Sequence, residues 1–377
     1  MSELSTTIAN LRKKFGQSIL RVGSEIPNVR RIPIKELPAF DFVSCGGLMH
    51  NRINEFVGEN GSLKSWVMYK YLGLYQKIDW DSYTMEAFTN FVYNKDGSIK
   101  SYGIRRPFKG KLKNPLPLKV ALIDVEHTYT PSWGETLGID TKGLIVSQPD
   151  RLSSAVDIAV ALCADPGISL VCFDSLSATG TDEELDGSME DNQMGIAARF
   201  WNKAIRKLQS AMNSNPNGNI TLIVINSEYE GMSQYDGIKI RNGGQLKRSK
   251  SLSVRFRALK ELTGKVEDDK GNENDDVIGR NVSLKCLKNK GGGPSLRTTN
   301  FFYSYLDYEL TSANSTDVIN QILDLATRHG IVKREGNTYT YEGNKAVGFA
   351  KFVTLIGGKD LFEPLRARVY TEVINRF

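Results

Sequence analysis

The stretch "RINEFVGENGSLKS", residues 52–65, decides how the rest of the chain is read. Its first half, "RINEFVG", is a short and nearly continuous apolar run, the form of a strand covered on both faces. Its second half, Gly58 to Ser65, nearly spells the phosphate-binding pattern G-x-x-x-x-G-K-[ST], with Leu63 where the pattern has its second glycine. Small, turn-prone residues let backbone N–H groups face phosphate oxygens. Gly58 and Gly61 reach conformations closed to other residues, while Glu59, Asn60, Ser62 and Leu63 complete the loop. Lys64 can extend to the β- and γ-phosphates of ATP, and Ser65 can ligate Mg²⁺. A helix starting there turns its positive dipole end toward the same anion. Leu63 is expected to point into the protein. A chance glycine turn is the competing reading.

Three more runs of this kind follow: "LKVALIDVE" (118–126), "ISLVCFDSL" (168–176) and "NITLIVINSE" (219–228). Between them, "RLSSAVDIAVALCAD" (151–165), after an Asp-containing cap, and "MGIAARFWNKAIRKLQSAM" (194–212) place apolar residues at helical spacing. The alternation predicts a mostly parallel central sheet with helices on both faces. Ligands in such sheets bind beyond the carboxyl ends of the strands. There "CFDSL" offers Asp174 as a carboxylate holding Mg²⁺ through water, or as a simple helix cap. Asp124 and Glu126, two apart, are expected on one face of a strand, with Glu126 placed to polarise the attacking water. Trp133 offers a flat face for adenine, or is a core tryptophan.

The 377 residues exceed one ordinary core. We expect an N-terminal helix and strand (1–35), a nucleotide core (36–310) and a small α/β C-terminal domain (311–377). The core carries a basic insertion (77–117) with a hairpin around Asp96–Gly97, and an acidic hairpin tip (264–276). The N-terminus reads as an amphipathic helix without a signal peptide's apolar stretch. No window is apolar enough for a membrane helix. Four cysteines without metal or disulfide spacing and three scattered histidines argue against zinc and for a soluble protein of a reducing, cytoplasmic compartment. A net charge of +6 is compatible with nucleic acid but does not establish it.

In order along the chain, "LRKKFGQSILRVG", "LIDVEHTYTPSWGETLGID", "LIVSQPD", "LVCFDSLSA", "NQMGIAARFWNKAIRKL", "LKNKGGGP" and "GIVKREGNTYTYEGNKAVGFAK" resemble the RecA-type homologous-recombination ATPases, especially their phage UvsX-like members. The resemblance implies a RecA-like fold and a DNA-dependent ATPase that forms helical filaments on single-stranded DNA. It implies pairing with homologous duplex DNA, strand exchange, and help from a mediator and a single-strand-binding protein, in a bacterial host cell if phage-encoded. It tolerates Leu63 and makes Glu126 the catalytic glutamate and Trp133 the adenine platform. It makes Lys288 and Lys290 the pair that reaches ATP on a neighbouring subunit. Relatives place glutamine or histidine where this chain has Ser227, whose shorter hydroxyl implies weaker coupling of ATP to DNA.

The resemblance also places two DNA loops. The first, 182–195, brings Met194, with Arg199 just beyond it. The second follows Ser227 and brings Met232, Lys239, Arg241, Gly243, Gly244, Lys247, Arg248 and Lys250. Glycines and cations suit a phosphate backbone, and Met232 can wedge between bases. Solvated charge is the plain alternative, as it is for Lys288 and Lys290. The insertion's Lys95, Lys100, Arg105, Arg106, Lys109, Lys111 and Lys113 form a basic lobe that either widens the DNA surface or stabilises a filament exterior. Two other functions fit the same core: a hexameric helicase-type motor and a low-turnover recombination mediator.

Overall fold

The computed structural model describes residues 3–15, 29–78, 90–93, 99–103, 118–177, 196–215, 220–230, 238–240, 244–267, 273–308 and 311–376. Residues 1–30, with helix α1 (Glu3–Phe15), form one compact unit, and residues 31–377 form a second.

The second unit opens with β1 (Arg31–Ile32), α2 (Pro38–Ser44) and β2 (Leu48–Met49), then β3 (Ile53–Gly58) and α3 (Lys64–Gln76). The expected hairpin is present as β4 (Asn90–Tyr93) paired antiparallel with β5 (Ile99–Gly103). The core continues through β6 (Lys119–Asp124), α4 (Pro131–Thr136), β7 (Leu144–Ser147), α5 (Leu152–Ala164), β8 (Ile168–Asp174) and α6 (Ile196–Ser214). It closes with β9 (Thr221–Glu230), β10 (Ile238–Ile240), α7 (Gly244–Ser249), β11 (Leu252–Glu267), β12 (Glu273–Asn289), β13 (Thr298–Ser304) and β14 (Ser315–Thr316). Then come α8 (Val318–Arg328), a three-stranded sheet of β15 (Lys333–Glu335), β16 (Thr338–Tyr341) and β17 (Asn344–Val347), α9 (Phe349–Gly358) and α10 (Phe362–Val369). A π-helical turn, Tyr370–Ile374, follows directly.

The central sheet has ten strands, ordered β14-β13-β12-β11-β3-β9-β8-β6-β7, with β10 paired to the end of β9. From β11 to β7 neighbours are parallel; β12, β13 and β14 extend it antiparallel. The four apolar runs are thus the adjacent strands β3, β9, β8 and β6, all fully covered in their middles. On one face, Ile123, Phe173 and Val224 pack against Trp201, Ile205 and Leu208 of α6 and against Ala155 and Ala159 of α5. Helix α3, with Val67, Met68 and Leu72 fully buried, lies outside that cluster and packs across β3, β6, β8 and β9. Burying each such aliphatic side chain contributes roughly 1.5–3 kcal/mol.

One local expectation fails. Helix α5 has Arg151 at its N-cap and no side-chain cap, so Asp150 does not start it. All four cysteines are free and buried, as small apolar side chains would be. Among the described residues, no helix is long and apolar enough to cross a membrane.

Candidate functional site

Strand register brings the candidate residues to one end of the sheet. Gly58 on β3 lies opposite Ser227 on β9, and Asp124 on β6 lies opposite Asp174 on β8. Beyond these ends opens a cleft of about 620 Å³ lined by Glu59, Asn60, Val125, Glu126, Ser177, Ser227 and Glu228.

The loop on β3 is held from inside and from the side. A Cβ on Gly58 would sit 2.0 Å from the Phe256 carbonyl oxygen of β11, so only glycine fits. Leu63 lies at φ 68°, ψ 20°, in the left-handed region. The backbone here demands the conformation that glycine supplies, and leucine accepts it at a cost of about 1–2 kcal/mol. Leu63 is partly buried there. Ser62 Oγ and Lys64 Nζ both donate to the Glu59 carbonyl, at 2.7 and 2.6 Å. From the β11–β12 hairpin, Ala258 N–H donates to Glu59 Oε1 (3.0 Å) and Arg280 Nη1 donates to the Gly61 carbonyl (2.8 Å). Arg280 was missed in the sequence, where a charged strand gives no sign of what it faces.

Ser65 Oγ donates to Asp174 Oδ2 at 2.7 Å. Burial raises the Asp174 carboxyl to about 6, against the Ser65 hydrogen bond; Glu126 and Asp124 add to the rise and Lys64 opposes it. A hydroxyl and a carboxylate together suit a hard divalent cation such as Mg²⁺, whose charge would offset that burial. Among the described residues there is no cluster of three or more His, Cys, Asp or Glu able to hold a metal, so water and phosphate oxygens would supply the remaining ligands. The Lys64 ammonium is lowered by burial, opposed by the charges of Asp174 and Glu126.

Asp124 and Glu126 part company, because β6 ends at Asp124. Asp124 is buried and accepts from Thr128 N–H (3.3 Å), Tyr129 N–H (2.9 Å) and Gln148 Nε2 (2.9 Å), holding the turn. Glu126 is exposed in that turn and accepts from Ser175 Oγ at 2.7 Å. The shared-face expectation is therefore replaced by a structural and a solvent-facing carboxylate. Trp133 is half-buried on α4.

Ser227 is approached from two sides. Its N–H donates to Asn226 Oδ1 (3.0 Å), and its hydroxyl accepts from Ser177 Oγ (2.8 Å). Ser175 is legible in the sequence as a polar residue at a strand end beside Asp174, but Ser177 is not, because a serine beyond a strand is too common to signal.

Lys288 and Lys290 converge on the carboxyl end of α7. Lys288 Nζ donates to the Lys247 carbonyl, and Lys290 Nζ donates to the Arg248 carbonyl at 2.6 Å. Cations there complement the helix dipole. Lys247 and Arg248 themselves are exposed, as are Gly244 at the start of α7 and Arg199 on α6. Lys239 lies on β10, opposite Tyr229 of β9. Met194, Met232, Arg241 and Gly243 lie outside the described residues, as do most of the basic insertion and residues 182–195. Lys250 departs from its expected place on a DNA surface: it is buried and paired with Glu55.

The RecA N-terminal domain model matches residues 117–306, a span holding Glu126, Trp133, Asp174, Ser227, Lys288 and Lys290; the Gly58–Ser65 loop lies outside it, upstream of α3 and the insertion. Curated relatives extend the likeness. Protein RecA of Nocardioides sp. is 27% identical over 350 residues, covering 91% of this chain and 82% of the relative. Protein RecA of Chloroherpeton thalassium is 25% identical over 383 residues, covering 100% and 90%. A crystal structure of the RadB recombinase is 13% identical with a TM-score of 0.44, covering 71% of this chain and 93% of that one. The model's match spans half of the chain, including the cleft residues Val125, Glu126, Ser177, Ser227 and Glu228; this protein belongs to the RecA N-terminal domain family.

Proposed function

We propose that the chain is an ATP-dependent recombinase that forms filaments on single-stranded DNA and catalyses homologous pairing and strand exchange. The observation that carries this reading is the convergence of Lys64, Ser65, Asp174 and Glu126 beyond the carboxyl ends of parallel strands in a RecA-family chain. The Gly58–Ser65 loop wraps the triphosphate, and Lys64 turns from the Glu59 carbonyl to its β/γ oxygens. Ser65 and Asp174 hold Mg²⁺, which when bound neutralises phosphate charge. Glu126 orients water and accepts its proton. Trp133 stacks on adenine. Ser227 donates to the terminal phosphate. Lys288 and Lys290 act on the ATP of an adjoining protomer, so that nucleotide completes only in a polymer. Arg199, Lys239, Gly244, Lys247 and Arg248, with Met194, Met232, Arg241 and Gly243, bind the DNA strand. The N-terminal helix docks on the neighbour, and 311–377 form a small C-terminal domain within the same compact unit as the core.

The test is ATP hydrolysis with and without single-stranded DNA, beside a Lys64→Ala control, followed by strand exchange. DNA-stimulated hydrolysis with exchange supports the recombinase. ATP binding without turnover favours a mediator, and turnover with unwinding but no exchange favours a helicase-type motor.

A further inference from the structure

Three hydroxyls join Glu126 to Ser227 across the ends of β6, β8 and β9. Ser175 Oγ donates to Glu126 Oε1 at 2.7 Å, Ser175 and Ser177 Oγ are 3.3 Å apart, and Ser177 Oγ donates to Ser227 Oγ at 2.8 Å. Each hydroxyl owns one proton. With Ser175's given to Glu126 and Ser177's given to Ser227, the central 3.3 Å contact has no proton of its own. Ser227's proton is then left for an acceptor in the cleft it lines.

A second arrangement uses the same oxygens. If Ser227 donates to Ser177, Ser177 is free to donate to Ser175, and every proton points toward Glu126. Such a run polarises each successive bond and grips the carboxylate harder. The two arrangements exclude each other, because Ser177 cannot donate both ways. As the oxygens stand, Ser177 is placed to donate to Ser227, the first arrangement, and an anion accepting from Ser227 locks it. The second needs the Ser227 hydroxyl to turn toward Ser177 and is open only when no anion holds it.

We propose that Ser177 is a positioning residue whose hydroxyl reversal reports an oxyanion at Ser227 to Glu126, loosening the carboxylate for proton transfer only when phosphate is present. This inference rests on the nucleotide-cleft reading. No bond is made or broken in the reversal; two O–H groups rotate.

The experiment measures ATP hydrolysis on an oligo-dT strand, and equilibrium binding of a non-hydrolysable ATP analogue, for wild type, Ser177→Ala, Ser177→Thr, Ser227→Ala and the Ser177→Ala/Ser227→Ala double variant. Ser177→Ala is expected to lower kcat about five- to tenfold, with KM and analogue affinity within about twofold of wild type. Ser177→Thr, which keeps the hydroxyl, restores kcat. The double variant is no slower than the slower single, because the two serines act through one chain. Unchanged kcat in Ser177→Ala, no rescue by threonine, or additive losses would overturn the relay while leaving the nucleotide site standing. A wild type that binds no analogue overturns the cleft reading and the relay with it.

Discussion

Lys250, the residue directly after α7, is buried against Glu55 on the strand that carries the phosphate loop. Glu55 also accepts from Ser253 Oγ (2.5 Å) and Asn226 Nδ2 (3.0 Å), and Asn226 Oδ1 in turn accepts from Ser227 N–H (3.0 Å). One carboxylate thus ties together the loop strand, the strand carrying Ser227, and the end of the helix that follows the basic segment. Networks of this kind fix geometry when every member is satisfied.

Breaking that pair from one side leaves a buried charge. Lys250→Met is expected to cost about 3–5 kcal/mol in urea unfolding, whereas Lys250→Met with Glu55→Gln recovers most of it. Because Lys250 faces inward, its replacement should leave the salt dependence of DNA binding unchanged, while Lys247→Ala lowers the log–log slope by about 1. A reduced slope for Lys250→Met with no loss of stability would return Lys250 to the DNA surface.

Leu63 holds a left-handed backbone. Leu63→Gly removes that strain at some entropic cost, for a net gain of about 0–1 kcal/mol, with nucleotide binding kept or improved. Leu63→Val, whose branched Cβ fits this region worst, is expected to lose about 1–2 kcal/mol and weaken binding. Denaturant midpoints and analogue titrations order the three proteins; valine equal to leucine would contradict the strain argument.

Asp41 in α2 is fully buried, accepting from Ile34 N–H (2.9 Å) and Tyr370 OH (2.7 Å). Burial raises its carboxyl to about 7, with both hydrogen bonds opposing the rise. Such a group stabilises the fold at low pH. The unfolded chain gives up this proton near pH 4, so the contribution falls as pH rises and is lost through about pH 7. Asp41→Asn, which still offers an acceptor to Ile34 and a donor to Tyr370, should match wild type near pH 4 and be more stable near pH 8. Parallel pH–stability curves would refute this.

The parallel half of the sheet was legible because β3, β6, β8 and β9 are covered on both faces, and double burial writes an unbroken apolar run. The edge β7 and the long pair β11 and β12 left weaker signals. Only Leu252–Phe256 of β11 pairs with β3; beyond it the two strands form a ribbon with charged, exposed residues. The loop, Asp174 and Glu126 could be found because their chemistry lies in local spacing. The positions of Arg280, Ser177 and Lys250 could not, nor could the partner of Ser175, since each acts on a residue tens to hundreds of positions away. Lys250 misled for the same reason: a lysine in a basic stretch carries no mark of the carboxylate that buries it.

The central claim is that nucleotide held by one protomer is completed by Lys288 of the next. It is tested by mixing Glu126→Gln protein, lacking the catalytic base, with Lys288→Ala protein, lacking the donated cation, in equal amounts on single-stranded DNA. Each alone should hydrolyse ATP poorly. In a head-to-tail polymer of random order, about a quarter of the interfaces join an intact cleft to an intact Lys288, so the mixture should recover about a quarter of wild-type turnover. Lys288→Ala protein that turns over ATP as fast as wild type, or a mixture no more active than its parts, contradicts the account.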